Sequence, residues 1–271
     1  MRALSTILLA VLMVGAVGGT ANADTKTALE RRSDRRRVVH AIAIGGFGLV
    51  YVTSEFLIKD RLAATACTWC DAPGIDADVR DALRWDNTGA ANVASAFTGY
   101  IVPPFATMGL LVASTWCDRD KRQWFDDVAP VLEASLIVGL INQTAKFVVG
   151  RSRPLVRFGD PTRPPTTDDH TSFFSGHTAL VFAETFAAGT VAHRRGYKLE
   201  PVIWASGLTL GVATAYLRIA ADKHYLTDVV SGAIIGSAIG LITPRVFHAD
   251  VLGKDVVVTP TGNGLALSGT F

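Results

Sequence analysis

The sequence predicts an all-α protein: a six-helix bundle, membrane-embedded, with a short C-terminal tail that resembles a small β-hairpin. Three observations carry this reading. The 271-residue chain is 49% hydrophobic and only 18% charged, against about 25% charged in an ordinary soluble domain, and its mean hydropathy is +0.31. Six apolar stretches, at 38–58, 89–116, 128–149, 176–192, 202–221 and 226–243, are long enough for helices, and several approach the ~20 residues that cross a bilayer. No period-2 alternation precedes the tail, and no internal repeat runs along the chain. The composition excludes intrinsic disorder. A net charge of +2 is too small to argue for a nucleic-acid partner. Three cysteines exclude a disulfide-rich scaffold.

Residues 1–23 read as an export signal, with Arg2 in the n-region, an apolar Leu4–Val17 core and the small-x-small site Ala21-Asn22-Ala23. An uncleaved first membrane segment is the other reading. Residues 24–37 form a basic juxtamembrane segment, whose arginines (Arg31, Arg32, Arg35, Arg36, Arg37) are either a solvated face or a cytoplasmic anchor under the positive-inside rule. The helical domain spans 38–248. Its second stretch holds Pro103-Pro104, which should kink or split it. Its third carries Glu133, Asn142, Gln143 and Lys146, and its fourth Glu184. Such groups are costly in lipid and should face the bundle interior. Gly232, Gly236 and Gly240, at four-residue spacing, put a smooth groove on the last stretch for close helix packing. The tail, 249–271, sets two apolar runs around Thr261-Gly262-Asn263-Gly264, the pattern of a hairpin or of a frayed terminus.

Loop charges suggest a topology. The basic loops at 117–122 and 193–198 fall on the side of the arginine cluster if all six stretches span. The aspartate-rich 60–88 loop, 150–175 and 218–225 are then extracytoplasmic. A cleaved signal would reverse this, so either 1–23 is not a true signal or not all six stretches cross. Cys67 and Cys70 are a structural staple or free thiols, with no part in catalysis.

Three clusters carry the chemistry: Lys146 with Arg153-Pro154, then Ser175-Gly176-His177, then Arg218, His224 and Asp228. Each cation alone is more often a snorkelling surface residue. Three of them converging in an apolar bundle need an anion, and a phosphate fits. Gly176 opens a helix whose N–H groups can point at that anion. Ser175 is an N-cap, or a phosphate donor as well. Two histidines beside three cations suit acid and base roles. Asp228, one helical turn after His224, can hold one ring nitrogen and leave the other as a nucleophile. A metal bound by His177, His224 and Asp228 is the rival reading, and the nearby cations oppose it.

At these residues the chain resembles the type-2 phosphatidic acid phosphatase superfamily, which includes bacterial class A acid phosphatases and vanadium haloperoxidases. Lys146-x6-Arg153-Pro154 matches fully, Phe174 replaces a proline before Ser175-Gly176-His177, and Leu217 replaces a serine before Arg218-x5-His224-x3-Asp228. The resemblance implies that His224 forms a phosphohistidine, that Asp228 orients it, and that His177 protonates the leaving alcohol and then activates water. It implies that Lys146, Arg153, Ser175, Gly176 and Arg218 bind the phosphoryl oxygens, with no metal or other cofactor. The expected function is hydrolysis of a phosphate monoester or diphosphate of a phospholipid or polyprenyl phosphate, in a bacterial-type inner membrane with an extracytoplasmic site and no protein partner inferred. An exported soluble acid phosphatase, periplasmic or secreted, is the alternative. A vanadium haloperoxidase is a minor one, and a non-catalytic membrane scaffold is opposed by the complete ionisable set.

Overall fold

The computed structural model describes residues 28–119, 121–248, 257–261 and 264–268, and the expected export signal at 1–23 lies outside the described residues. Helix α1 (Ala28–Thr53) runs on through a π turn, Ser54–Ile58, and a last turn, Lys59–Leu62. The others are α2 (Gly74–Leu83), α3 (Thr88–Asp118), α4 (Trp124–Val149), α5 (Gly176–Arg195), α6 (Glu200–Ala220) and α7 (Leu226–Phe247). After α7, β1 (Val257–Thr261) and β2 (Gly264–Ser268) pair antiparallel.

The regular elements among the described residues before these strands are all helical, but the expected count of six needs correction. Helix α2 and the single turn Pro154–Arg157 lie in stretches read from sequence as loops. Helix α2 escaped because its buried face is charged, not apolar: Asp76 and Arg80 are its buried residues. The basic segment is also not separate from the bundle. It is helical from Ala28, and Arg37 is paired with Asp126 of α4 at 2.7 Å.

Among the described residues four helices, not six, are long and apolar enough to cross a membrane: Ser33–Leu62, Thr88–Asp118, Glu200–Ala220 and Leu226–Phe247. They leave large apolar side chains outside, among them Leu57, Phe105, Val212 and Ile234. Helix α5 is the interior element. Its Ala183, Ala187, Ala188 and Val191 are fully buried, and Glu184 is buried with them. Glu133, Asn142 and Gln143 of α4 are likewise buried, as the cost of polar groups in lipid requires, while Lys146 is half-buried.

Pro103-Pro104 neither splits nor ends α3. The helix absorbs them with π turns on both sides, Phe97–Ile101 and Phe105–Gly109. A proline removes one backbone donor and crowds the preceding turn. A widened turn relieves that crowding while the helix continues.

The glycine stripe of α7 lies against the backbone of α5. A Cβ at Gly232 would stand 2.7 Å from Ser175 O and one at Gly240 2.5 Å from Ala183 O, while one at Gly236 would collide with Ala179 O. Helix α7 is thereby held at backbone distance from the start of α5. Replacing Gly236 with leucine should therefore destabilise the protein by about 1–3 kcal/mol, the usual cost of overpacking. Thermal unfolding in detergent would register this as a lowered midpoint.

Candidate active site

The site assembles where α4 ends, α5 begins and the chain turns from α6 into α7. Helix α4 stops at Gly150, whose φ of 56° only glycine adopts freely. Gly150 O accepts from Thr68 N at 3.0 Å, which docks the 63–73 loop on the helix end. That loop holds the Cys67–Cys70 disulfide. The turn between α6 and α7 passes through Asp222, at φ 58°, a conformation aspartate tolerates. Arg80 of α2 donates to both Asp222 carboxylate oxygens, at 2.6 and 2.9 Å, and clamps the turn.

His224 sits in this turn, buried. Its Nδ1 is 2.8 Å from Ser172 O. A carbonyl only accepts, so Nδ1 carries the proton and Nε2 keeps its lone pair. Asp228 Oδ2 is 3.6 Å from Nδ1, too long for a hydrogen bond. The expectation that Asp228 accepts directly from the ring is therefore corrected: Ser172 stands between them. Its Oγ donates to Asp228 Oδ2 at 2.6 Å while its carbonyl accepts from His224. Asp228 also accepts from Tyr225 N at 3.0 Å, which ties the carboxylate to the start of α7.

Sequence reasoning missed the group that holds Asp228. Arg151 is fully buried and donates to Asp228 Oδ1 at 2.5 Å and to Asp76 Oδ2 at 2.6 Å. Its guanidinium lies 4.0 Å from the Trp69 ring centroid and 4.4 Å from that of Tyr225. Arg151 falls in the gap of the Lys146–Arg153 motif, and Asp76 is one of six aspartates in the 60–88 stretch. Neither position stands out in one sequence.

The phosphate-binding candidates converge. Arg153 is fixed through Asp168 O at 2.7 Å, Lys223 O at 3.2 Å and Thr171 Oγ1 at 3.2 Å. Arg218 Nη1 donates to Asn92 Oδ1 at 2.9 Å and Ser95 Oγ at 3.1 Å of α3, and its Nε is buried without a partner among the described residues. Lys146 lies in the last turn of α4. Burial lowers the His224 pKa well below its usual 6.5, and the charges of Arg153, Arg218 and Lys146 push it down further. Burial also lowers His177, and Arg218, His224, Lys146 and Arg153 act on it in the same direction. Asp168 is raised by burial, yet Arg153, Lys59 and Lys146 outweigh this and hold it well below the carboxylate range.

Ser175 occupies the N-cap position of α5, but its Oγ pairs with Thr178 Oγ1 at 3.0 Å and caps no backbone N–H. Gly176 leaves room for Asn142, whose Oδ1 would be 2.6 Å from an added Cβ. Asn142 in turn donates to Phe174 O at 2.7 Å, beneath the start of α5. The His177 ring lies 4.1 Å from that of Tyr100, tilted by 46°, and a Cβ on Gly99 would stand 2.8 Å from its Cδ2. The π turn of α3 thus brings a small residue and an aromatic ring against His177.

The PAP2 superfamily model matches residues 127–251, which include all eight residues of the predicted site. A curated relative is the "Lipid A 1-phosphatase" of Porphyromonas gingivalis, 27% identical over 194 residues, which are 72% of this chain and 38% of the relative. The chain thus spans under two fifths of that relative's length. No solved structure matches.

The buried arginine generates a prediction. Arg151→Met leaves Asp76 and Asp228 buried and unpaired, and breaking such a pair costs about 3–5 kcal/mol. Chemical unfolding of the variant beside the parent should show a loss of that size. A loss under about 1 kcal/mol, the scale of an exposed ion pair, would mean that the carboxylates are solvated.

Proposed function

We propose that the chain is a membrane phosphatase that hydrolyses a lipid phosphate monoester or diphosphate through a phosphohistidine intermediate. The observation that carries this reading is a buried imidazole with its proton on Nδ1, beside three cations. Its Nε2 lone pair attacks phosphorus, forming the N–P bond as the P–O bond to the lipid alcohol breaks. The bound phosphate dianion offsets the cations that depress His177, so that in the complex the ring is an imidazolium and gives its proton to the departing oxygen. The ring then takes a proton from water, whose oxygen attacks the phosphohistidine and releases inorganic phosphate. His224 is restored, and protons and charge balance over the two steps. Lys146, Arg153 and Arg218, with the Gly176 N–H and the Ser175 hydroxyl, hold the phosphoryl oxygens. Phosphoryl transfer depends mainly on such positioning and charge stabilisation. The depressed pKa of His224 keeps it unprotonated, as a nucleophile must be.

A lipid substrate is supported by the four long apolar helices and by an apolar depression on α4, the helix that carries Lys146. Leu140, Ile141, Ala145 and Val148 line it. The relative's name points the same way. The Cys67–Cys70 disulfide beside the site supports an extracytoplasmic position, because disulfides persist in oxidising compartments. A bacterial-type inner membrane with its site facing outward fits these features. Assay of phosphatidic acid, phosphatidylglycerophosphate, polyprenyl diphosphate, lipid A and p-nitrophenyl phosphate tests the substrate class. Turnover of p-nitrophenyl phosphate alone would replace the lipid reading with the acid-phosphatase one.

His224→Ala should abolish turnover, by about 10⁴-fold or more as for lost nucleophiles elsewhere. His177→Ala should lose about 10²–10⁴-fold, the share of a general acid, and should still form the phosphoenzyme from a substrate with a good leaving group. Radiolabelled phosphate trapped on the parent and on His177→Ala, but absent from His224→Ala, is the expected pattern.

No step of this reaction uses a metal. Turnover on ice should therefore survive EDTA, while vanadate should inhibit by occupying the phosphoryl site. Complete loss on chelation with recovery on Mg²⁺ would overturn the mechanism.

A further inference from the structure

We propose that the protein carries a binding site for a divalent first-row transition ion at the end of the bundle remote from the catalytic histidines, formed by His40, Glu133 and His248. The three come from α1, α4 and the residue after α7. His40 Nδ1 is 2.7 Å from Glu133 Oε1, and His248 Nε2 is 2.8 Å from Glu133 Oε2. The two imidazoles stack at 4.1 Å with 24° between their planes, so both present a nitrogen to one carboxylate. One ligand atom from each residue falls within 4.8 Å of the others. Ligand atoms on a tetrahedral ion stand ~3.4 Å apart, given bonds of about 2.0–2.2 Å, so an adjustment of roughly 1 Å closes the set.

The donor chemistry selects the ion. Two imidazoles and one carboxylate suit zinc and its neighbours, whereas Mg²⁺ and Ca²⁺ prefer all-oxygen sets. Glu133 and His248 are nearly inaccessible, at 5% and 1% side-chain exposure, while His40, at 15%, is the point of entry. Arg36 and Arg37 lie one turn before His40 and are engaged by Asp126, at 4.0 and 2.7 Å, which offsets their repulsion. On binding, each ring frees the nitrogen that faces Glu133 for the ion and carries its proton on the other nitrogen.

The site is separate from the chemistry. Glu133 precedes Lys146 by thirteen residues of α4, about 20 Å at a rise of 1.5 Å per residue. Its role is structural. The ion fastens α1 to α4 and to the end of α7. The other end of α1 supplies Lys59, 2.9 Å from Asp168, and Glu55, which pairs with Gln143. A clamp at His40 therefore steadies the helix that reaches the catalytic end.

The test uses the full chain in detergent, without a polyhistidine tag, stripped with EDTA, desalted and titrated with ZnCl₂. Calorimetry and elemental analysis should show one Zn²⁺ per chain, and the unfolding midpoint should rise on addition. Co²⁺ should give the visible bands of a tetrahedral nitrogen–oxygen site. His40→Gln and His248→Gln should each lower Zn²⁺ affinity by about 100-fold or more, at or above the top of the range for loss of an outer-shell partner. His40→Gln should keep the parent's turnover on ice. If the buried His248 variant fails to fold, the less buried His40 position and Glu133→Gln carry the comparison. Failure to bind Zn²⁺ stoichiometrically would overturn the proposal and leave a hydrogen-bonded His–Glu–His cluster. So would equal affinity in parent and His40→Gln. Neither result bears on the phosphohistidine reading, whose test is the trapped phosphoenzyme.

Discussion

Arg151 places a guanidinium, with no solvent exposure, between the carboxylates of Asp76 and Asp228. A charge in that position is tolerable only when paired and hydrogen-bonded. The pairing joins four pieces of chain. Asp76 brings α2 and also accepts from Thr227 N and Oγ1 at the start of α7. Trp69 and Tyr225 cover the guanidinium on two sides. Asp228 passes the constraint on through Ser172 to His224. The orientation of the His224 ring is thus set by a chain of contacts that begins well away from it.

Around that chain the site is electrostatically one-sided. Three cations act on His224, and two of them, Arg153 and Lys146, together with Lys59 depress Asp168. Asp168 also stands 2.9 Å from Lys59 of α1 and 3.9 Å from Arg153. Such a surplus of positive charge in an apolar bundle is suited to an anion and lowers histidine basicity. The same field makes a metal ion an unfavourable guest at this end. At the other end, Glu133 faces two imidazoles instead of guanidinium groups, and the balance favours a cation.

Packing keeps these parts in register. The glycine stripe lets α7 approach α5 until Gly232 meets the carbonyl of Ser175, so the second and third motifs share one contact. Ser175 N donates to Asp228 O at 3.1 Å at the same junction. Asn142 of α4 joins the first motif's helix to the start of α5. The spacing of polar residues in the sequence and the spacing of small ones therefore serve the same junction.

The sequence by itself determined the helical class, the residues that had to turn inward and the eight residues of the motifs. Hydrophobic runs and the cost of buried polar groups are local properties, legible without partners. Glu133, Asn142 and Gln143 were legible as interior for that reason, and the glycine stripe as a packing face. Only the tertiary structure decided what each charge meets. Arg151 and Asp76 read as ordinary loop charges because their significance lies in a contact across 75 residues. Helix α2 was missed because ion pairs, not apolar periodicity, bury it. At Pro103-Pro104, where a kink or split was expected, α3 continues through π turns on both sides, which take up the crowding of the proline rings. Ser172 between Asp228 and His224, and Glu133 between His40 and His248, likewise depend on elements that fold against one another from distant parts of the chain.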